Sequence, residues 1–411
     1  MPFISCLVLY YEFKAVKLLI SQATQCRIYL SVTWYPYTEG FSKPFVERVI
    51  KEFGISKEDL VLDPFGGCGT TSLACTLNGI NSASIEVNPF MCLVARVKTD
   101  LGLDTKKLDA IKTNISEDLK TAKPYKFNSN HDFLTKPFFT PNNLNQLLII
   151  KNVIESTRFP NEQYKDFFKL AIASLLIKIS NMKRGPDLRY KEPPYKDLDI
   201  SRLFIERMDK FISDVRNVHA DRLGRAHIIE HNIMNNISAV NLDDSVDFFI
   251  TSPPYLNGTN YIRNTKLELW YLDYVKSTND LKTLRKAMIT AGINDTQSDK
   301  KYDFDLEITK GNLDKLFKVA YDKRIPKMIE FYFKEMLLAT RNIHNMVKKG
   351  GKGVIVIGDS QFAGVHIPTD TYTADICHKV GFRVDKQVVA RERRSKNGMA
   401  LRESLIYVTK V

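Results

Sequence analysis

The passage LVLDPFGGCGTTSLACTLNG, residues 60–79, narrows the fold more than any other. Leu60, Val61 and Leu62 read as a short buried strand, the glycines turn the chain, and Thr71 to Leu77 reads as a helix stopping before Gly79. ASIEVNPF then supplies a second strand, ending in Glu86. Strand, glycine turn, helix, strand opens an α/β nucleotide-binding unit, so a mostly parallel sheet with crossover helices is expected. The 411 residues allow one large or two modest domains, and a composition 44% hydrophobic and 26% charged excludes wholesale disorder.

Upstream, Phe45, Val49, Ile50 and Phe53 follow a Ser-Lys-Pro start at helical spacing, which predicts a helix with proline in its first turn. Residues 101–225 change character: helical patterns such as NNLNQLLIIKNVIES and FFKLAIASLLIKI flank a polar, basic loop, SNMKRGPDLRYKEPPYKD. The α/β pattern resumes at about residue 226, with AHIIEHNI and SVDFFITSPPY as strands. MIEFYFKEMLLATRNIHNMV reads as an amphipathic helix ended by Gly350 and Gly351, before a strand at Val354 to Ile357. The C-terminal segment reads as two strands around a basic loop, an antiparallel pair closing the sheet.

Sixty Lys and Arg against 47 Asp and Glu leave a net charge of +13, which suits a polyanionic partner, nucleic acid before an anionic membrane surface. Residues 101–225 hold 23 Lys and Arg against 16 Asp and Glu, or +7 of that excess. No apolar run reaches the ~18 residues of a membrane span, and Phe3 to Tyr11 lacks the basic flank of a signal peptide. The six cysteines form no C-x-x-C pair, against a structural zinc or disulfide framework and in keeping with a cytoplasmic location.

Three motifs carry chemistry. In Asp63-Pro64-Phe65-Gly66-Gly67-Cys68-Gly69-Thr70-Thr71, glycines allow close approach of a ligand to the backbone, and the helix start offers free N–H groups. Gly-Lys-Ser/Thr is absent, so this is no phosphate loop, and Ser72 replaces the third glycine of a dinucleotide fingerprint. An acid before the turn suits a ligand with a cationic amine, such as the methionine end of S-adenosylmethionine. Glu86, at the next strand end, suits the ribose hydroxyls of an adenosine. Thr251-Ser252-Pro253-Pro254-Tyr255 follows an apolar strand, and its prolines lock the backbone and donate no N–H. The segment therefore presents carbonyls and the Ser252 hydroxyl to an exocyclic amine, and Tyr255 offers a stacking face. Glu192-Pro193-Pro194-Tyr195 follows no apolar strand and reads as a structural loop.

Together these residues resemble the S-adenosylmethionine-dependent DNA amino-methyltransferases, which modify N4 of cytosine or N6 of adenine. DPFGGCGTT is similar to their cofactor motif, IEVNPF to the ribose-binding strand end, and TSPPY to the catalytic motif in its cytosine-N4 form. WYPYTEGFSKPFVERVI resembles their cofactor-side N-terminal segment, and GGKGVIVIGDS and RESLIYVTK their later strands. His231-Asn232 departs from the family's Gly-Asp; Asn232 is then the group expected at the cofactor's adenine.

The resemblance implies a class I methyltransferase (Rossmann-like) sheet, with an antiparallel last strand, over residues 33–100 and 226–411. Residues 101–225 would be an inserted target-recognition region, and 1–32 a lead-in without assigned role. Ser252, Pro253, Pro254 and Tyr255 would be catalytic. Asp63, Phe65, Gly66, Gly67, Gly69, Thr70, Thr71, Glu86 and Asn232 would hold S-adenosylmethionine. Double-stranded DNA would be the partner, with Lys183, Arg184 and Arg189 on phosphates and a second basic loop at Arg391 to Lys396 that includes Arg393 and Arg394. Whether a cognate restriction endonuclease accompanies it is left open. The alternatives are adenine-N6 methylation, an RNA substrate, or an inactive nucleic-acid-binding protein on the same fold. No cysteine follows a proline, which argues against cytosine-C5 chemistry, and the zinc deaminase motifs are absent.

Overall fold

The computed structural model describes residues 33–35, 40–124, 138–185, 187–256, 261–296, 300–395 and 397–411. The lead-in 1–32 with Cys6 and Cys26, residues 36–39 of the WYPYTEGF segment, and Lys396 lie outside the described residues.

Seven strands form the main sheet: β1 Leu60–Asp63, β2 Asn81–Glu86, β3 Ala226–Glu230, β4 Val246–Thr251, β5 Val347–Gly358, β6 Phe382–Arg394 and β7 Ala400–Lys410. Their spatial order is β3-β2-β1-β4-β5-β7-β6. Strands β3 to β5 run parallel, and β7 inserts antiparallel to both β5 and β6. This is the class I methyltransferase arrangement expected above. The last strand does not close the edge: it slots inside, and β6 forms the rim.

The helix before the sheet, α1 (Lys43–Phe53), starts as the sequence predicts. The Ser42 hydroxyl accepts the Phe45 N–H, a proline occupies the first turn, and Gly54 caps the end at φ +67°. Helix α2 (Thr70–Leu77) leaves the glycine turn, and α3 (Pro89–Thr99) follows the second strand, capped by Asn88. Among the described residues, four long helices lie between 101 and 225: α4 Thr105–Thr121, α5 Pro141–Ser156, α6 Glu162–Ala173 and α7 Ile200–Arg216. Helices α8 (Arg324–Met346) and α9 (Thr369–Val380) cover one sheet face.

Alternation along the strands assigns the two faces. In β5, Ile355 and Ile357 join Leu62, Phe249 and the apolar side of α8. Val354 and Val356 join Val61, Ile250 and helix α1 on the other face. Burial on both faces explains why these strands read as continuous apolar runs.

The helices between residues 101 and 225 share a core with the sheet's own helices. Phe90, Leu93 and Val94 of α3 pack in one cluster with Leu108, Phe167, Phe204 and Phe211 of the insertion. Trp34 bolts the two together: its indole stacks on Phe211 at 4.4 Å, and its Nε1 donates to Asp214 Oδ2 at 2.7 Å.

Two expectations need correction. Helix α8 ends at Met346, before the glycines, and β5 runs through both. The helix stops there because Val347 already enters the sheet, paired with Val246 of β4, and its end is capped from elsewhere: Lys410 Nζ donates to His344 O, and Ser245 N to Met346 O. The basic loop at 180–191 also carries more order than its composition suggests. Met182–Lys183 pairs antiparallel with Arg189–Tyr190, and Lys191 Nζ is held by the carbonyls of Ile177, Lys178 and Ser180.

Candidate active site

In a doubly wound sheet the ligand crevice opens at the carboxyl edge, where neighbouring strands send their connections to opposite sides. Here that point lies between β1 and β4. Their parallel pairing, Val61 with Phe248 and Leu62 with Phe249, sets the DPFGG turn beside the SPPY turn, although 188 residues separate Asp63 from Thr251.

Asp63 is the strap between them. One carboxylate oxygen accepts from the Thr251 hydroxyl at 2.8 Å and the Phe65 N–H at 3.2 Å; the other accepts from the Thr71 hydroxyl at 2.7 Å. Burial raises its pKa to about 6, with those hydrogen bonds opposing. Asp63 does not line the cavity, in contrast to the expectation that it would stand beside a ligand amine.

The glycines divide the work of the turn. A Cβ on Gly66 would lie 1.7 Å from Ser84 Oγ and 3.1 Å from Ser84 Cβ on β2, so a side chain there would have to displace that hydroxyl or the turn. Gly69 has φ +78°, and its Cβ would lie 2.7 Å from that of Ala95 on α3. Gly67, at φ +49°, is the one on the cavity wall, and its N–H donates to Glu86 Oε2 at 2.9 Å.

Glu86 takes the Asn88 N–H on its other oxygen at 2.8 Å. Burial still raises its pKa, and those backbone N–H groups pull the other way. Each oxygen keeps further acceptor capacity. A carboxylate so placed, on the wall of the cavity between the two turns, fits a ligand that brings hydroxyl donors.

Phe65, Gly67, Glu86, Asn232, Ser252, Pro253 and Pro254 thus meet on one cavity wall. Asp63, Gly66, Gly69, Thr70, Thr71 and Tyr255 are not on it. Asn232 spends its Oδ1 on the Met234 N–H at 3.0 Å, which leaves its amide N–H₂ as the donor to offer a ligand. The Pro254 carbonyl is occupied by the Tyr332 hydroxyl at 2.9 Å, which leaves Ser252 and the Pro253 carbonyl as the acceptors of that turn. Tyr255 donates its hydroxyl to Glu403 at 2.9 Å, and burial, with the nearby Glu403 charge, holds its pKa well above the ordinary value.

Sequence reasoning missed several wall residues, among them Asn88, Met91 and Tyr261, and the supports Tyr332 and Glu403. Asn88 had a signal, an Asn before Pro at a helix start. The supports had none, because their partners lie 78 and 148 residues away.

The proposed phosphate contacts separate. Lys183 and Arg189 stand exposed on the short hairpin. Arg184 turns inward: its guanidinium pairs with the fully buried Glu268 at 2.6 Å and lies over the Tyr35 ring. Arg393 and Arg394 are exposed near the end of β6, and Arg393 donates to the Asp359 carbonyl at 3.2 Å. The Glu192 to Tyr195 run is exposed on the insertion, away from the cavity wall. Among the described residues no helix is long and apolar enough to cross a membrane.

Residues 27–96 match a family model described as DNA methylase, of the N6/N4 type. The chain is 26% identical to the Type II methyltransferase M.BsoBI of Geobacillus stearothermophilus, covering 90% of this chain and 82% of that one. It is 25% identical to the Type II methyltransferase M.AvaI of a Nostoc species, covering 87% and 80%. A solved S-adenosylmethionine-dependent methyltransferase from Methanosarcina mazei aligns at 10% identity with a TM-score of 0.32, covering 88% of this chain and 97% of that one.

Proposed function

Given that the chain belongs to the DNA amino-methyltransferases, S-adenosylmethionine-dependent enzymes, we propose that it methylates the exocyclic N4 amine of cytosine in double-stranded DNA. The observation that carries this reading is the shared wall: Ser252, Pro253 and Pro254 face the same cavity as Gly67 and Glu86. Cofactor and acceptor amine can therefore meet without rearrangement of the sheet.

S-adenosylmethionine, when bound, supplies a methyl group on a sulfonium sulfur, a good leaving group. Glu86 accepts the ribose hydroxyls, Asn232 donates to the adenine edge, and Phe65 and Gly67 form the packed wall. Asp63, Gly66, Gly69 and Thr71 act one step behind, holding the shape of the turn. The base leaves the duplex, which costs a few kcal/mol. Ser252 and the Pro253 carbonyl accept hydrogen bonds from its amine and aim the nitrogen lone pair across the cavity. Tyr255, next to Pro254 but off the cavity wall, stacks on the base beside that cavity. Positioning supplies much of the rate, and the proton can leave after transfer, so no strong base is required.

Ser252 favours cytosine. A neutral hydroxyl stands where an aspartate is common among adenine-modifying relatives, and the Ser-Pro-Pro-Tyr form resembles that of cytosine enzymes. The similarity to Type II methyltransferases supports a role beside a cognate restriction endonuclease. DNA from cells expressing the gene, digested to nucleosides, should contain N4-methylcytosine; N6-methyladenine alone would replace the base and keep the mechanism. Ser252→Ala should lose turnover by about a hundredfold while retaining DNA binding, because it removes an acceptor from the reacting amine and no phosphate contact.

A further inference from the structure

We propose that Glu403 is a positioning residue for methyl transfer, holding the Tyr255 ring as a preformed platform for the extruded base. The inference rests on the reading of Tyr255 as the stacking residue. Glu403 comes from the antiparallel strand β7 and is only 4% exposed. Its Oε1 accepts the Tyr255 hydroxyl at 2.9 Å, and its Oε2 lies 2.8 Å from Arg391 Nε on β6. The sheet register puts these groups in line: Glu403 pairs with Gly358 on one side and Arg391 on the other.

The ring is fixed at two further points. A Cβ on Gly358 would lie 3.2 Å from both Cδ2 and Cε2 of Tyr255, so the ring rests against the bare backbone at the end of β5. The Tyr255 N–H donates to the Tyr261 hydroxyl at 3.3 Å. A carboxylate is a costly choice for a buried sheet position when an apolar side chain would fill it, and this one ends on the hydroxyl of the motif tyrosine. Hydroxyl, ring edge and backbone are all held before any base arrives, and that lowers the ordering cost of stacking.

The test compares Glu403→Ala, Glu403→Gln, Tyr255→Phe and the double variant Tyr255→Phe/Glu403→Ala. Transfer of labelled methyl groups from S-adenosylmethionine to DNA from a methylation-deficient strain gives kcat and the KM for DNA, and calorimetry gives cofactor affinity. Glu403→Ala and Tyr255→Phe should each lower kcat about tenfold, with cofactor affinity within about twofold of wild type. Glu403→Gln keeps an acceptor oxygen and should recover most of the rate. The double variant should be no worse than the poorer single, because both remove the same bond. Losses that multiply in the double variant would overturn the positioning role and leave the proposed function standing. If Glu403→Ala does not fold, Tyr255→Phe decides alone, since it breaks the bond without touching the Arg391 pair, and a wild-type kcat there would also overturn the role. A wild-type enzyme that transfers no methyl group to DNA would instead bring down the function itself, and this inference with it.

Discussion

The turns leaving β1 and β4 sit side by side, yet one works by freeing the backbone and the other by locking it. The first holds three glycines, two of them at positive φ, and is closed largely by its own bonds, Thr71 to Asp63 and Gly67 to Glu86, with Thr251 tying it to the second. The second holds two prolines and is braced from outside, by Tyr332 on α8 and Glu403 on β7. A self-contained turn can be written in a short stretch of sequence. An externally braced one depends on partners that only the completed sheet brings near.

The sharpest way to break this contrast is Gly66→Ala. The added methyl would sit 1.7 Å from the Oγ of the fully buried Ser84, so that hydroxyl or the turn must move. Overpacking of this kind costs about 1–3 kcal/mol, and the shift carries Gly67 and the Glu86 hydrogen bond with it. We expect a lower Tm and loss of S-adenosylmethionine binding by calorimetry. Near wild-type affinity would mean that the first turn, too, is held from outside.

The same contrast explains which parts could be read from sequence. The β1 to β2 unit, the capped helix α1 and the strand before TSPPY were all readable, because apolar runs, caps and turn residues are local signals. Helix α8 ended ahead of the glycines because Val347 already pairs with Val246 on the distant strand β4. Arg184 looked like a phosphate contact in a basic run and proved to be the partner of Glu268, 84 residues on. Asp63 looked like a ligand group, and its bond to Thr251, 188 residues on, made it a strap. In each case the residue type was right and the partner was long-range.

A second measurement probes the strap itself. Burial raises the Asp63 pKa from 3.8 to about 6. The folded protein thus holds this proton more tightly than the unfolded chain, so Asp63 favours the fold fully below pH about 4, and that contribution is lost as pH rises through about 6. The change is worth about 3 kcal/mol over that window. Asp63→Asn keeps the shape and cannot titrate. The Tm of wild type minus that of the variant should therefore shrink as pH is raised from about 4.5 to 7. A difference independent of pH would show that the carboxylate ionises at its ordinary pKa and that the turn is less closed than its hydrogen bonds imply.

The smallest expected effect lies farthest from the two turns, on the hairpin of the insertion. Lys183 and Arg189 are exposed there, whereas Arg184 is committed to Glu268 and would confound any binding test by leaving a buried carboxylate unpaired. Phosphate contacts position a protein on DNA and release counterions as they form. Changing Lys183 and Arg189 to Ala should therefore weaken binding modestly on any sequence and flatten the log–log salt dependence by about 0.9 per lost contact. Turnover at saturating DNA should hold, since neither side chain lines the cavity. An unchanged slope would move the phosphate contacts to Arg393 and Arg394, on the rim beside the braced turn, and the DNA would then enter over β6 rather than over the insertion.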